Sequence, residues 1–292
     1  MSTIAITHFT DPGCPFAYSA SPDMAVLRWR YGGQLDWRIV TIGLSEDPQR
    51  YLDAGYTPTR MAIGHLHAFA RYGMPFLHAP RPRLAATTRA CRAIVATRLK
   101  HPGREHDALR ALQLANFNSP MLLDEDADLE AALARVPGID PHQIVAAIDA
   151  EDTLAAYEQD KAETRSAGGS PTEFQGKARQ TDGPVRYSAP SLIFHGPDGR
   201  TLEAGGMQTI EAYDVLIANL ERSLERRAPA EQPLEALEAF PGGLVTQEVA
   251  AIMTHNNQLP DRLATESALV QLLGDGVVQR EQLGDDALWR AA

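Results

Sequence analysis

Two residues of this chain carry a thiol, Cys14 and Cys91, and one of them stands where a thiol can react. Cys14 follows Asp11-Pro12-Gly13 and precedes Pro15-Phe16-Ala17-Tyr18. It therefore lies between the end of an extended segment and the start of a helical one. Unpaired backbone amides and the positive end of the helix dipole favour an anion at such a place, which predicts a lowered pKa and a nucleophilic thiolate. Pro15 offers no amide but suits the first helical position. Cys91 sits among Ala90, Ala93, Ile94 and Val95 and reads as core packing, although a distant resolving thiol is the sharper alternative.

Other residue types offer weaker chemistry. His65 and His67 flank a leucine, roughly 200° apart on a helix, so they cannot share a metal ion as residues three or four apart can, and no metal site is expected. His8 ends an extended segment near the Cys14 loop, where it could hydrogen-bond across that loop. Phe16, Tyr18, Phe117 and Asn118 are candidates to line a substrate cleft, while an aromatic core is the equal alternative.

The elements that must position Cys14 follow from periodicity. Residues 3–9 alternate with β-branched enrichment and read as a strand. Phe16, Ala20, Met24 and Leu27 recur at helical spacing up to Gly32-Gly33, giving a helix kinked at Pro22. Leu35 to Val40 alternates again and predicts a second strand beside the first. From Glu46 to Gly183 helical patterns dominate, over 86–99, 105–116, 126–136 and within 141–165. A hairpin follows, 191–195 returning as 200–204 through Gly196-Pro197-Asp198-Gly199, then a helix carrying Tyr213, Leu216, Ile217, Leu220 and Leu224. After a linker to Gln232, the last segment predicts helices over 246–255 and 260–273, then a ribbon of 277–283 turning at Gly284-Asp285-Asp286 into 287–289.

The order strand, Asp11-Pro12-Gly13-Cys14-Pro15-Phe16-Ala17-Tyr18, helix, strand, helical insertion, then Ser188-Ala189-Pro190-Ser191 opening a hairpin, resembles the DsbA-like branch of the thioredoxin superfamily. The resemblance covers residues 3–226 and includes Arg89-Ala90-Cys91-Arg92-Ala93 and Ala115-Asn116-Phe117-Asn118 as insertion helices. It implies that Pro190 is a cis-proline packed on the reactive thiol and that Ala189 offers its backbone to an extended substrate. Disulfide oxidoreductases of that family carry a second cysteine where this chain has Ala17. Cys14 therefore cannot close a local disulfide, and a mixed disulfide on it must be resolved by an external thiol or a distant cysteine. The single cysteine is similar to that of kappa-class glutathione transferases and 2-hydroxychromene-2-carboxylate isomerase, which hold and activate a small thiol. The segment after the hairpin, Gly205-Gly206-Met207-Gln208-Thr209, lacks the acidic residue expected for gripping glutathione, so another small thiol is equally admissible.

Composition bounds the rest. A formal charge of -11 disfavours nucleic acid and anionic membrane, and the segment 233–292 carries nine acidic residues against Arg262, Arg280 and Arg290, which argues against DNA binding. With no basic-then-apolar leader and no long apolar run, the expected compartment is the cytoplasm. The expected fold is α/β: a thioredoxin-like frame over 1–45 and 184–228, a helical insertion domain over 46–183, and a small winged-helix-like α+β unit over 233–292 for packing or homodimer formation. The expected activity is monothiol thiol-disulfide oxidoreductase chemistry at Cys14. Pro15, Phe16, Ala17, Tyr18, Phe117, Asn118, Ala189 and Pro190 would bind the substrate or thiol, with no tightly bound cofactor and a low-molecular-weight thiol (glutathione or an analogue) as partner. A thiol-dependent isomerase or transferase, or a non-catalytic binding protein on the same frame, stays open.

Overall fold

The computed structural model describes residues 3–180, 183–284 and 286–292. Strand β1 (Ile4–Thr10) pairs in parallel with β2 (Leu35–Thr41), Ile4 opposite Leu35 and Thr10 opposite Thr41. A parallel pair requires a crossover, supplied here by α1 (Pro15–Ser19) and α2 (Ser21–Tyr31). The expected single kinked helix is thus two helices joined at Ala20. Pro22 lies in the first turn of α2, where its missing N–H leaves no intrahelical bond unmade.

The helical block holds α3 (Gln49–Asp53), α4 (Pro58–Tyr72), α5 (Thr88–Lys100), α6 (Glu105–Asn118), α7 (Asp126–Leu133), α8 (Pro141–Ala146), α9 (Glu151–Thr164) and α10 (Pro171–Phe174). Helix α4 was not among the expected ones. Its local code is nonetheless complete: Thr57 caps the Arg60 amide, Pro58 opens the helix, and Gly73 closes it at φ 78°. His65 on α4 is buried and His67 exposed, so they occupy different faces.

The frame resumes with β3 (Ser191–His195), antiparallel to β1 with His8 opposite Leu192, and β4 (Thr201–Gly205), giving the sheet order β2-β1-β3-β4. Helix α11 (Ile210–Leu220) stops short of Leu224, which lies in the linker. The C-terminal segment forms α12 (Pro233–Ala239), β5 (Leu244–Val245), α13 (Thr246–Ile252), α14 (Arg262–Gly274), β6 (Val278–Leu283) and β7 (Asp286–Ala291), with a second sheet ordered β5-β7-β6. Helix α12 and strand β5 are additions to the sequence reading, and Asp285 of the expected turn lies outside the described residues.

Helix α2 is buried on two sides. Met24, Leu27 and Tyr31 pack with Ile4, Ile6 and Phe194 of the frame, whereas Ala25, Val26 and Trp29 pack with Leu237, Val249 and Trp289 of the C-terminal segment. An ion pair seals the junction. The Arg110 guanidinium donates to both oxygens of Glu248 at 2.6 and 2.7 Å, and Glu248, 0% exposed, also accepts from Ser21 Oγ (2.5 Å) and the Val245 amide (2.9 Å). Burial works to protonate Glu248, but Arg110 and these donors together hold its carboxyl below the usual range.

Candidate functional site

Cys14 caps α1, with φ -85° and ψ 113°, and its amide donates to the Asp11 carbonyl at 3.1 Å. Its thiol points across to the hairpin and donates to the Ala189 carbonyl at 3.4 Å. The Ala189–Pro190 peptide is cis. Ser191 Oγ donates to the Ser188 carbonyl (2.7 Å) and accepts from the Gly206 amide (3.1 Å), tying this loop to the end of β4. Cys14, Ala189 and Pro190, remote in sequence, therefore share one locus.

Cys14 is only 5% exposed, and this reverses the expected ionisation. Burial pushes its thiol up to about 11; the amides of Ala17 and Phe16 and the charge of Arg186 pull the other way, while Asp11 adds to the rise. The helix that should stabilise a thiolate has five residues and loses one amide to Pro15. Loss of water outweighs the donors that remain.

Asp11, which sequence reasoning took only as part of a turn, organises the loop. Its carboxylate accepts from the amides of Gly13 (2.8 Å) and Leu44 (2.8 Å), from Thr87 Oγ1 (3.3 Å) and from Cys91 Sγ (3.4 Å). Burial nonetheless raises its pKa against all four donors. Cys91 is buried and its thiol is held protonated by burial and then by Asp11. Gly13 has to be glycine here, because a Cβ would fall 2.2 Å from Thr87 Cγ2.

The other expected residues divide. Phe16 is 55% exposed beside the thiol, Pro15 and Ala189 are half-buried, and Ala17 and Pro190 are buried. Tyr18 is core rather than cleft: its ring stacks on Phe117 at 4.7 Å and meets Phe76 edge-on, and its hydroxyl accepts from Asn118 Nδ2 at 2.9 Å. Phe117 has one edge on a small cavity of about 50 Å³ that runs from Gly13 past Asn116 and His65 to Arg81; Asn118 does not line it. His8 does not bridge the Cys14 loop. Its ring is buried edge-on to Trp37 (6.1 Å), and burial with the nearby Arg28 charge lowers its pKa to about 3.

Arg81 was missed by sequence reasoning. Burial lowers its pKa to about 10 against the charge of Asp124, and its guanidinium donates to Asn116 Oδ1 at 2.9 Å with no carboxylate in ion-pair range among the described residues. Nothing local marks it, since its environment comes from α6. Among the described residues no three His, Cys, Asp or Glu side chains are grouped to hold a metal ion, and no helix is long and apolar enough to cross a membrane.

The model of the DSBA-like thioredoxin domain matches residues 5–187. A solved structure from Nitrosomonas europaea, assigned as a protein disulfide isomerase, is 17% identical, with a TM-score of 0.56, covering 75% of this chain and 97% of that one. The cytosolic disulfide reductase DsbM from Pseudomonas aeruginosa is 18% identical with a TM-score of 0.51, over 75% of this chain and 97% of that one. Its structure with GSH gives a TM-score of 0.53 at 18% identity, over 75% and 98%. No curated protein matches the sequence significantly.

Proposed function

Because this chain belongs to the family of DSBA-like thioredoxin domains, we propose that Cys14 performs thiol-disulfide exchange as a lone nucleophile, with a low-molecular-weight thiol, glutathione or an analogue, as its external partner. The observation that carries this reading is the thiol 3.4 Å from the Ala189 carbonyl, beside exposed Phe16, with Ala17 where a local resolving cysteine would stand. In the first step the Cys14 thiolate attacks a disulfide, forming a mixed disulfide and releasing one substrate thiolate. In the second, an external thiolate attacks the substrate sulfur of that mixed disulfide, releasing the Cys14 thiolate and leaving a disulfide between substrate and external thiol; a second external thiolate then attacks the external-thiol sulfur of that disulfide and releases the second substrate thiolate, so two electrons pass from two external thiols to the substrate.

Ala189 and Pro190 would shape the groove, with Pro15, Phe16 and Ala17 on its other wall. Arg81, a half-buried cation whose hydrogen-bond partner among the described residues is the Asn116 amide oxygen, suits a small thiol that carries a carboxylate. The likeness to a reductase solved with GSH supports glutathione as the first thiol to test. Both cysteines are free, which suits the reducing cytoplasm. We read residues 1–45 with 184–228 as the frame, 46–183 as the insertion, and 233–292 as a winged-helix-like module for packing or homodimer contact.

One observation favours the non-catalytic alternative, namely the upward shift of the Cys14 thiol. A single experiment separates the two. The protein is incubated with a panel of oxidised low-molecular-weight thiols and its intact mass recorded. The expected result is one adduct, lost in Cys14→Ser and kept in Cys91→Ser; no adduct with any member of the panel overturns the exchange mechanism.

A further inference from the structure

A second, larger cleft of about 480 Å³ opens between α2, β2, the start of α6 and the loop 239–243, and it shares no lining residue with the cavity between Gly13 and Arg81. Two of its walls are tryptophans, each carrying a guanidinium on its face. Arg28 Cζ lies 4.5 Å from the Trp37 ring centroid, and Arg227 Cζ lies 3.3 Å from that of Trp29. Neither guanidinium has a carboxylate in ion-pair range among the described residues. Of the other charges facing the cleft, Arg110 is held by Glu248, and Asp107, 3.0 Å from Arg104, also acts on Arg28 through its charge. His106, also on the wall, is kept neutral by burial and by the charges of Arg28 and Arg110.

Arg28 is the anomaly. Its Nε is buried without a hydrogen-bond partner, and a charged donor removed from water needs an acceptor. The ring of Trp37 offers one face of attraction but no acceptor for the N–H groups in the guanidinium plane. In a chain of net charge -11, two guanidiniums fixed on aromatic walls of one cleft, without an ion-pair partner among the described residues, mark a place for an anion with several acceptor oxygens.

We propose that this cleft binds the oxyanion group of a small metabolite, a phosphate ester or a polycarboxylate, between Arg28 and Arg227. Since the 239–243 loop forms the opposite wall, such a ligand would join the C-terminal unit to α2 and stabilise their junction. The proposal is independent of the chemistry at Cys14.

The test is titration of the full chain with inorganic phosphate and with citrate, each against chloride at matched ionic strength, followed by calorimetry and by the thermal midpoint. Saturable binding of at least one oxyanion with a raised midpoint is expected, phosphate or citrate alone identifying which class fits. Arg28→Gln and Arg227→Gln should each weaken it by roughly tenfold, with Cys14 alkylation unchanged as the control for folding. Arg227 is exposed, so its variant carries the test even where Arg28→Gln folds poorly. An effect no greater than that of chloride, or equal binding by Arg227→Gln, overturns the proposal.

Discussion

The Cys14 loop and the α6–α13 junction both bury ionisable groups, yet they resolve the same cost in opposite ways. At the junction Glu248 is fully buried but meets Arg110 at both oxygens and two further donors, so it stays charged. In the loop, Cys14 and Cys91 face an acid, Asp11, and among the described residues no cation hydrogen-bonds to either thiol, so burial keeps both protonated. The difference teaches that burial sets the size of the penalty and the partner decides whether the proton stays. A structural pair can be locked, whereas a thiol proposed to react has to give its proton up, and the loop leaves that step open.

The largest expected effect is in pH. Alkylation of Cys14 should climb about tenfold per pH unit from neutrality towards pH 11 with no plateau, because only the thiolate reacts. A plateau below pH 9 in the kinetics would break the contrast with Glu248. The same shift has a stability consequence: a pKa raised on folding contributes stability that is present below the ordinary thiol value of 9.0 and lost as pH rises towards about 11.

Next in size is Glu248→Gln, which strands the Arg110 charge in a buried site and should cost about 3–5 kcal/mol in chemical denaturation. Because the Glu248 pKa is lowered, that contribution is present above the unfolded carboxylate value and lost as pH falls through the folded one. A loss under about 1 kcal/mol would mean the pair is no better matched than a surface one.

Smaller again is Ala17→Cys, which places a resolving thiol one turn from Cys14. Mild oxidation should then give an intramolecular disulfide by mass, and dependence of turnover on added thiol should fall on the order of tenfold. Persistence of a stable external adduct would show that the two positions cannot meet. Smallest is Phe16→Ala. This exposed ring should change stability by no more than about 0.5 kcal/mol while raising the KM for the disulfide a few-fold, and an unchanged KM would remove Phe16 from the docking surface.

Much of the frame was legible because its causes are local. Alternation in β1 and β2, the Gly-Pro-Asp-Gly turn between β3 and β4, and the breaks at Gly32 and Gly199 are properties of neighbouring residues. The two-residue strand β5 and seven-residue α12 escaped because such short segments take their form from what they pack against. For Tyr18 and Phe117 the choice between cleft and core stayed open for a related reason: a stacked core aromatic and a cleft aromatic have the same sequence pattern, and only the facing helix separates them.

By itself the sequence singled out Cys14 as the candidate to react, placed it between strand and helix, and left Ala17 where a local resolving cysteine would stand. Only the tertiary structure decided that this atom is a protonated thiol. The Ala189 carbonyl that receives it comes from 175 positions away, and Asp11 is enclosed by Leu44 after β2 and by Thr87 and Cys91 at the start of α5. Dipole and capping act over one turn and can be read along the chain, but desolvation is set by whatever the fold brings around a group from every side.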